Sequence, residues 1–441
     1  MSNIRPITLL FGLALTAASF AQWTDRKEIG DGGESSLATD DNGSVYVAMH
    51  QPGKLYISRD WGASFNLAKT FGEAFCDMDV LAWPNGNVNL TFIIQGDNGA
   101  PSKGFASYYS TDNAETLEHG SAPSGTLDRP WMAPNLTNGE IYMDYSNGFI
   151  GGPKSKGVYL SASTDHGKTF QLRSRVDKEP IGYGAVDPYL CTSSDGRIYA
   201  MWSTTQDQNL IDRFDFSYST DGGHTFKGHR TIADLDPKMG DTQERWILGA
   251  IVAVGPKTVV ALYPNYTKMV VDGVETHPLV DYYRISTDGG ATFSEPKLVS
   301  PADELEASLK SFAANKHSDK NVGIYVQTLP WLCADPKGRV YLAYQDNRDG
   351  QVSPDGSDNY VGRWQVRFAG MKSLESGFTS SERVSDDVIC YRPPLDFLSC
   401  GADRKNAYIS WTDAPGQSAV FAFAGKTNLA RKPLGAFWMN H

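Results

Sequence analysis

The chain has 441 residues, 40% hydrophobic and 12% aromatic, with a formal net charge of −11. That is enough apolar material for one large domain or two to three ordinary ones. The acidic balance argues against a nucleic-acid partner, which needs concentrated Lys and Arg.

Residues 1–21, MSNIRPITLLFGLALTAASFA, place one Arg before an apolar run, and Ala18-Ser19-Phe20-Ala21 offers a small-x-small cleavage site ahead of Gln22. This is the pattern of a secretory signal peptide, so the mature protein is expected to be secreted or periplasmic. The apolar run is too short for a bilayer span, and no later segment approaches that length. Residues 23–32, WTDRKEIGDG, read as a lone strand.

From there the chain alternates two phrases. One is a Gly turn followed by a β-branched and aromatic run: DDNGSVYVAM (40–49), WPNGNVNLTF (83–92), LTNGEIYMDY (136–145), SSDGRIYAMW (193–202) and DPKGRVYLAY (335–344), with weaker copies GPKTVVALY (255–263) and DRKNAYISW (403–411). The other starts at Ser58 (SRDWGASF), Ser110 (STDNAETL), Ser163 (STDHGKTF), Ser219 (STDGGHTF) and Ser286 (STDGGATF). Asn-Gly and Asp-Gly between such runs signal hairpins. Each unit therefore reads as four strands, and there are seven units. A four-stranded unit recurring about every 40–60 residues is a propeller blade. The expected fold is all-β, a single β-propeller over 22–428 with seven four-stranded blades, six being the alternative. Residues 429–441 are expected to form a C-terminal tail. The seventh unit, from Tyr391 onward, supplies only three strands, so the N-terminal strand is expected to close the last blade.

Three features interrupt the pattern. PADELEASLKSFAANKHSDKN (301–321) has helical spacing and reads as a partly helical insertion. DNRDGQVSPDGSDN (346–359) reads as a solvated loop, because Arg348 spoils calcium-loop spacing. Cys76, Cys191, Cys333, Cys390 and Cys400 are odd in number and lack zinc spacing. Cys191 and Cys333 fall at equivalent places and read as small buried residues. A Cys390–Cys400 bridge is one possibility. No metal and no cofactor are expected.

The S-x-D-x-G-x-T-[FW] phrase resembles the Asp-box, or BNR repeat, of the sialidase-like propeller superfamily, and the resemblance covers nearly the whole mature chain. It implies turns on the blade rims, away from a central site. The chemistry agrees, since Asp and Ser side chains bond nearby backbone N–H groups and Gly permits positive φ. The repeated aspartates are thus expected to be folding devices.

Function in a propeller concentrates where loops and innermost strands surround the axis. Aligning the units on their first strand gives RPW (129–131), DPY (187–189) and LPW (329–331), with ERW (244–246) and RPP (392–394) in the corresponding places. The leading residues are then Glu34, Asp77, Arg129, Asp187, Glu244 with Arg245 beside it, Leu329 and Arg392. Buried unpaired charge is costly, so these groups must pair or meet a polar ligand. Arg129, Arg245 and Arg392 look like the arginine triad with which sialidases hold a substrate carboxylate. The family's Arg-Ile-Pro motif is absent, and YRPP at 391–394 is the nearest text. On this resemblance Asp77 is the candidate acid/base, Glu244 the activator and Tyr391 the nucleophile, with Tyr183 as an alternative; Asp187 and Glu34 join the arginines in binding substrate. Trp131, Tyr189, Trp246 and Trp331 read as packing between blades. The expected function is a secreted sialidase-like glycoside hydrolase acting on an acidic sugar. The alternatives are a glycan- or protein-binding propeller and a polysaccharide lyase on uronic-acid polymers. The protein is expected to be a monomer with a carbohydrate partner, no nucleic acid and no membrane span.

Overall fold

The computed structural model describes residues 23, 26–50, 52–97, 102–147, 156–178, 183–205, 211–235, 248–271, 273–314, 327–346, 348, 362–385, 388–390, 398–413 and 426–439. Seven antiparallel sheets follow one another as blades of a propeller. Blade one spans 33–71, blade two 74–119, blade three 128–175, blade four 184–234, blade five 250–298 and blade six 327–383. Blade seven is built from 399–433 and closed by the N-terminal strand Lys27–Asp31.

The second strand of each blade explains why these sequences form blades. Val45–His50, Ile141–Ser146 and Val340–Asp346 are buried on both faces. Such strands favour β-branched and aromatic residues, which pack well on a pleated surface. One register position holds Tyr46, Tyr142, Tyr199, Tyr341 and Tyr408, all fully buried. Most of these hydroxyls are bonded at the blade's own turns: Tyr142 donates to Glu140 at 2.7 Å and Tyr408 to Asp403 at 2.6 Å.

The repeated serine–aspartate phrase joins the third strand of a blade to the fourth. All five copies fold alike. In the copy at Ser286, the serine hydroxyl donates to Asp288 Oδ1 at 2.8 Å and accepts the Gly290 N–H at 2.9 Å. Asp288 accepts the Thr292 N–H and hydroxyl at 2.8 and 2.6 Å. These donors hold the Asp288 carboxyl down at a pKa of about 2. The turn needs two successive residues at positive φ, met by Gly289 and Gly290 at 78° and 86°. The copy at Ser110 places Asn113 and Ala114 there, at 61° and 62°. Alanine pays a steric cost in this region that glycine does not. Ala114→Gly is therefore expected to raise stability by about 0.5–1 kcal/mol in denaturant titration.

Ring closure follows the expectation. Lys27–Asp31 runs antiparallel to Lys426–Pro433, pairing Lys27 with Leu429 and Asp31 with Lys426. Trp23 packs edge-on against Phe368 of blade six at 5.0 Å and donates to Glu382. The boundary expected at 428 falls inside the third strand of blade seven, which continues to Pro433. Residues 434–439 are a short helix rather than a loose tail. Its Phe437 is fully buried against Tyr341 and Phe368, and Trp438 donates to the Tyr341 hydroxyl at 3.0 Å. Aromatic residues at a chain end bury too much area to be left in water.

The insertion between blades five and six forms the helix Ala302–Ala314. It is pinned to blade six by a buried ion network. Arg348 bonds Glu304 of the helix and Asp346 of blade six, each at 2.6 Å, and Ser308 donates to Asp346 at 2.9 Å. The side chains of Asp346 and Arg348, at the start of the 346–359 segment, are thus buried in an ion network and not in a solvated loop; 347 and 349–359 lie outside the described residues.

Candidate functional site at the propeller hub

Five innermost strands, those of blades one to four and six, enter the hub through a bulge. The ladder between first and second strands skips register at Gly33/Ser36, Cys76/Asp79, Asp128/Trp131, Val186/Tyr189 and Thr328/Trp331. Inside each bulge one residue sits at positive φ: Glu34 (44°), Asp77 (47°), Arg129 (56°), Asp187 (47°) and Leu329 (52°). None is glycine. A β-bulge re-aims a side chain, and positive φ costs a non-glycine residue roughly 1 kcal/mol or more. Five leading positions aligned from sequence therefore coincide in space.

Blades five and seven differ from the sequence alignment. Ala250 pairs with Leu262 and Ser399 with Ser410, the rungs that Trp131–Asp144 and Trp331–Ala343 occupy elsewhere. Two residues before the rung in blade five lies the position equivalent to Arg129, which is Leu248; in blade seven the same count falls on Phe397. Glu244, Arg245 and Trp246 stand upstream of Leu248, and Tyr391 and Arg392 upstream of Phe397. All of these except Leu248 lie outside the described residues. The x-Pro-aromatic match aligned them by composition, whereas the ladder aligns by pairing.

Among the described residues the hub has two halves. Blades five and six contribute Leu248 and Leu329, which line a small apolar pocket with Tyr189, Pro330, Trp331 and Leu398. Trp131 and Trp331 meet edge-to-face at 5.6 Å, and the Tyr189 hydroxyl accepts the Gly249 N–H at 2.8 Å. Trp131 and Tyr189 are buried in the main core, so these aromatics are packing residues.

Blades one to four contribute the charges. Glu34, His50, Asp77, Asp128, Arg129, Lys156 and Asp187 are all at least nine-tenths buried. His50 Nδ1 lies 3.0 Å from Glu34 Oε2. Arg129 Nε lies 2.7 Å from Asp187 Oδ1. Asp77 and Asp128 are hydrogen-bonded to each other. Burial pushes Asp77 and Asp128 above the ordinary carboxylate range, and for Asp128 the charge of Asp77 adds to the rise; Arg129 opposes it for both. Two hydrogen-bonded carboxyls retain a proton because both cannot ionise side by side. Burial raises Asp187, with Arg129 and Lys156 opposing, and burial lowers the Lys156 ammonium. Asp128 and Lys156 are not candidates from sequence, whereas His50, at the end of VYVAMH, is a channel-facing candidate there, set against a structural role. Asp128 precedes the arginine of RPW and was legible as a neighbouring charge; His50 ends a second strand, and Lys156 lies in a connection whose length carries no motif. Tyr183, the alternative nucleophile, lies under Arg213, whose guanidinium is 4.7 Å from the ring centroid.

Two residues beyond Asp77, Asp79 ties three blades together. It accepts the Ser36 hydroxyl of blade one at 2.8 Å and the Met132 N–H of blade three at 2.8 Å. Burial outweighs those bonds and lifts its pKa from 3.8 to about 7. The folded chain thus keeps a proton that the unfolded chain releases near pH 4. Asp79 costs nothing below that pH, and stability falls as pH rises from about 4 to 7, by up to about 4 kcal/mol. Asn at this position keeps an acceptor and a donor and does not titrate. Asp79→Asn is expected to flatten the unfolding free energy between pH 4 and 8; a slope equal to wild type would contradict this assignment.

Among the described residues no cluster of three metal-ligating side chains occurs, and no helix is long and apolar enough to cross a membrane. No family model and no curated protein matches the chain. Solved structures do match. An α-L-arabinanase from Penicillium chrysogenum, complexed with arabinobiose, is 10% identical over 93% of this chain and 98% of that chain, with a TM-score of 0.50. An α-L-arabinofuranosidase from Fusarium graminearum, complexed with an iminosugar inhibitor, is 10% identical over 93% of this chain and 99% of that chain, also at 0.50. A Hadza microbial sialidase is 11% identical over 90% of this chain and 75% of that chain, at 0.48. At such identities the first two likenesses show the propeller fold and nothing finer.

Proposed function

We propose that this protein is a secreted carbohydrate-active enzyme, a glycoside hydrolase that cleaves an acidic glycan at the propeller hub. The observation that carries the reading is the buried Asp77–Asp128 pair, two carboxyls side by side that burial pushes above the ordinary carboxylate range. A carboxylic acid held neutral is what protonation of a glycosidic oxygen requires. Asp77 is the proton donor, raised by burial and by the charge of Glu34, and Asp128 is the carboxyl it bonds. Glu244 and Tyr391 keep their proposed roles as activator and nucleophile, and Arg245 and Arg392 hold the substrate carboxylate. Arg129 and Asp187 serve as one unit, their ion pair forming the floor of the site beside Lys156, with Glu34 and His50 behind Asp77. The names of the two solved propellers at TM-score 0.50, an arabinanase and an arabinofuranosidase, are in keeping with a carbohydrate-directed activity.

The test is turnover by the full chain on a panel: a fluorogenic sialoside, uronic-acid polymers and arabinan. Fluorophore release or new reducing ends without an unsaturated product supports hydrolysis. Ultraviolet absorbance from an unsaturated uronate would replace hydrolysis with elimination. Saturable binding without turnover would reduce the protein to a glycan-binding propeller.

A further inference from the structure

Blades six and seven bring two cysteines together. Cys333 lies on the innermost strand Gln327–Ala334 of blade six, and Cys400 on the innermost strand Ser399–Ala402 of blade seven. Their sulfurs are 2.8 Å apart, and Cys400 also reaches the Trp331 carbonyl at 3.3 Å. Two non-bonded sulfurs do not normally approach so closely. The two strands are neighbours at the hub, so their backbones are held at this separation by the blade packing and not by the thiols. A disulfide has its sulfurs about 2.05 Å apart, so closure needs a movement of less than ~1 Å. Cys76 and Cys191 lie on the innermost strands of blades two and four. Among the described residues the partner offered to Cys400 is thus Cys333; the side chain of Cys390, its neighbour in sequence, lies outside them.

We propose that Cys333 and Cys400 form a disulfide that staples blade six to blade seven. The oxidant is a disulfide, either a small molecule or a protein, of the kind found in an oxidising compartment. One cysteine, as thiolate, attacks the oxidant and displaces a thiol, leaving a mixed disulfide. The other then attacks the protein sulfur of that mixed disulfide and displaces the second thiol. The new S–S bond is matched by the oxidant's lost S–S bond, and the two cysteine protons end on the two released thiols. Burial and the adjoining thiol push Cys333 well above its ordinary pKa in the folded chain. The exchange therefore belongs to folding, before blade seven docks. The bond closes a loop between residues 67 apart in sequence. That loop includes Tyr391 and Arg392, so the staple also restrains the segment assigned above to the substrate.

The test uses the full chain folded with glutathione disulfide present. It is denatured in N-ethylmaleimide without reductant, digested and mapped by mass spectrometry. The expected result is a peptide linking Cys333 to Cys400, lost on reduction and absent in Cys333→Ser and Cys400→Ser. Recovery of both cysteines alkylated, or a Cys390–Cys400 link, would overturn the proposal. Reductant is also expected to lower the unfolding temperature of wild type by several degrees and leave Cys333→Ser unmoved; equal shifts in both would count against the staple.

Discussion

Asp77→Asn is expected to lower turnover by about 10²- to 10⁴-fold, the usual contribution of a positioned general acid. Asn fills the same space and can still bond Asp128, so folding should survive and thermal unfolding should show it. Glu34→Gln tests what holds the acid up. It removes the like charge that adds to the rise of Asp77, and the acid's pKa falls. The alkaline limb of the pH–rate profile should therefore move toward lower pH, with activity retained at acidic pH. The sign is fixed by the charge removed. The acid form works, and it is lost as pH rises through its pKa, so a lower pKa means an earlier loss. If Asp77→Asn turns over as wild type does, the acid lies elsewhere. If Glu34→Gln leaves the alkaline limb in place, Glu34 does not set it.

The second large effect concerns stability. Asp187→Ala is expected to destabilise the fold by about 3–5 kcal/mol, because it leaves a buried guanidinium without its carboxylate. Arg129 and Asp187 have 2% and 1% of their surface exposed, so water cannot replace the lost partner. An arginine standing in an open channel would behave differently, and its replacement would weaken ligand binding alone. The double variant Arg129→Leu with Asp187→Leu should recover most of the loss. Leucine is already accommodated at this position in blade six, where Leu329 adopts the same backbone with φ of 52°. Denaturant unfolding of the two variants decides the point; a double variant no better than Asp187→Ala would show that the pair contributes more than its own burial.

The two outcomes bear on different readings of the same ring. Loss of turnover in Asp77→Asn with intact folding speaks for chemistry at the hub. Loss of stability in Asp187→Ala speaks for a structural ion pair, and the same chain can hold both. In the apolar half, Leu248, Leu329 and Trp131 are buried, and Trp131 meets Trp331 edge-to-face.

Much of this architecture was legible from residues alone. The blade pattern, the rim turns and the closing strand rest on local rules. A Gly turn followed by Val-Tyr-Val makes a hairpin wherever it occurs, and Ser-x-Asp-x-Gly-x-Thr satisfies its own backbone within eight residues. Such short-range bonding needs no knowledge of the rest of the chain. The leading positions of blades one to four and six were also visible, because the spacing from bulge to turn repeats. In blades five and seven ERW and RPP lie outside the described residues. In blade five the ladder puts Leu248 two residues before the Ala250–Leu262 rung, and pairing depends on the partner strand.

What tertiary structure decided is partnership. Nothing local says that Asp77 meets Asp128, that Arg129 meets Asp187 one blade on, or that Cys400 meets Cys333. These contacts join residues about 50–70 positions apart, the length of a blade, and exist only once the ring closes. Composition and periodicity determined the wheel because hairpins are local. The identity of each neighbour at the axis was set by closure, because only there do strands from separate blades come within bonding distance.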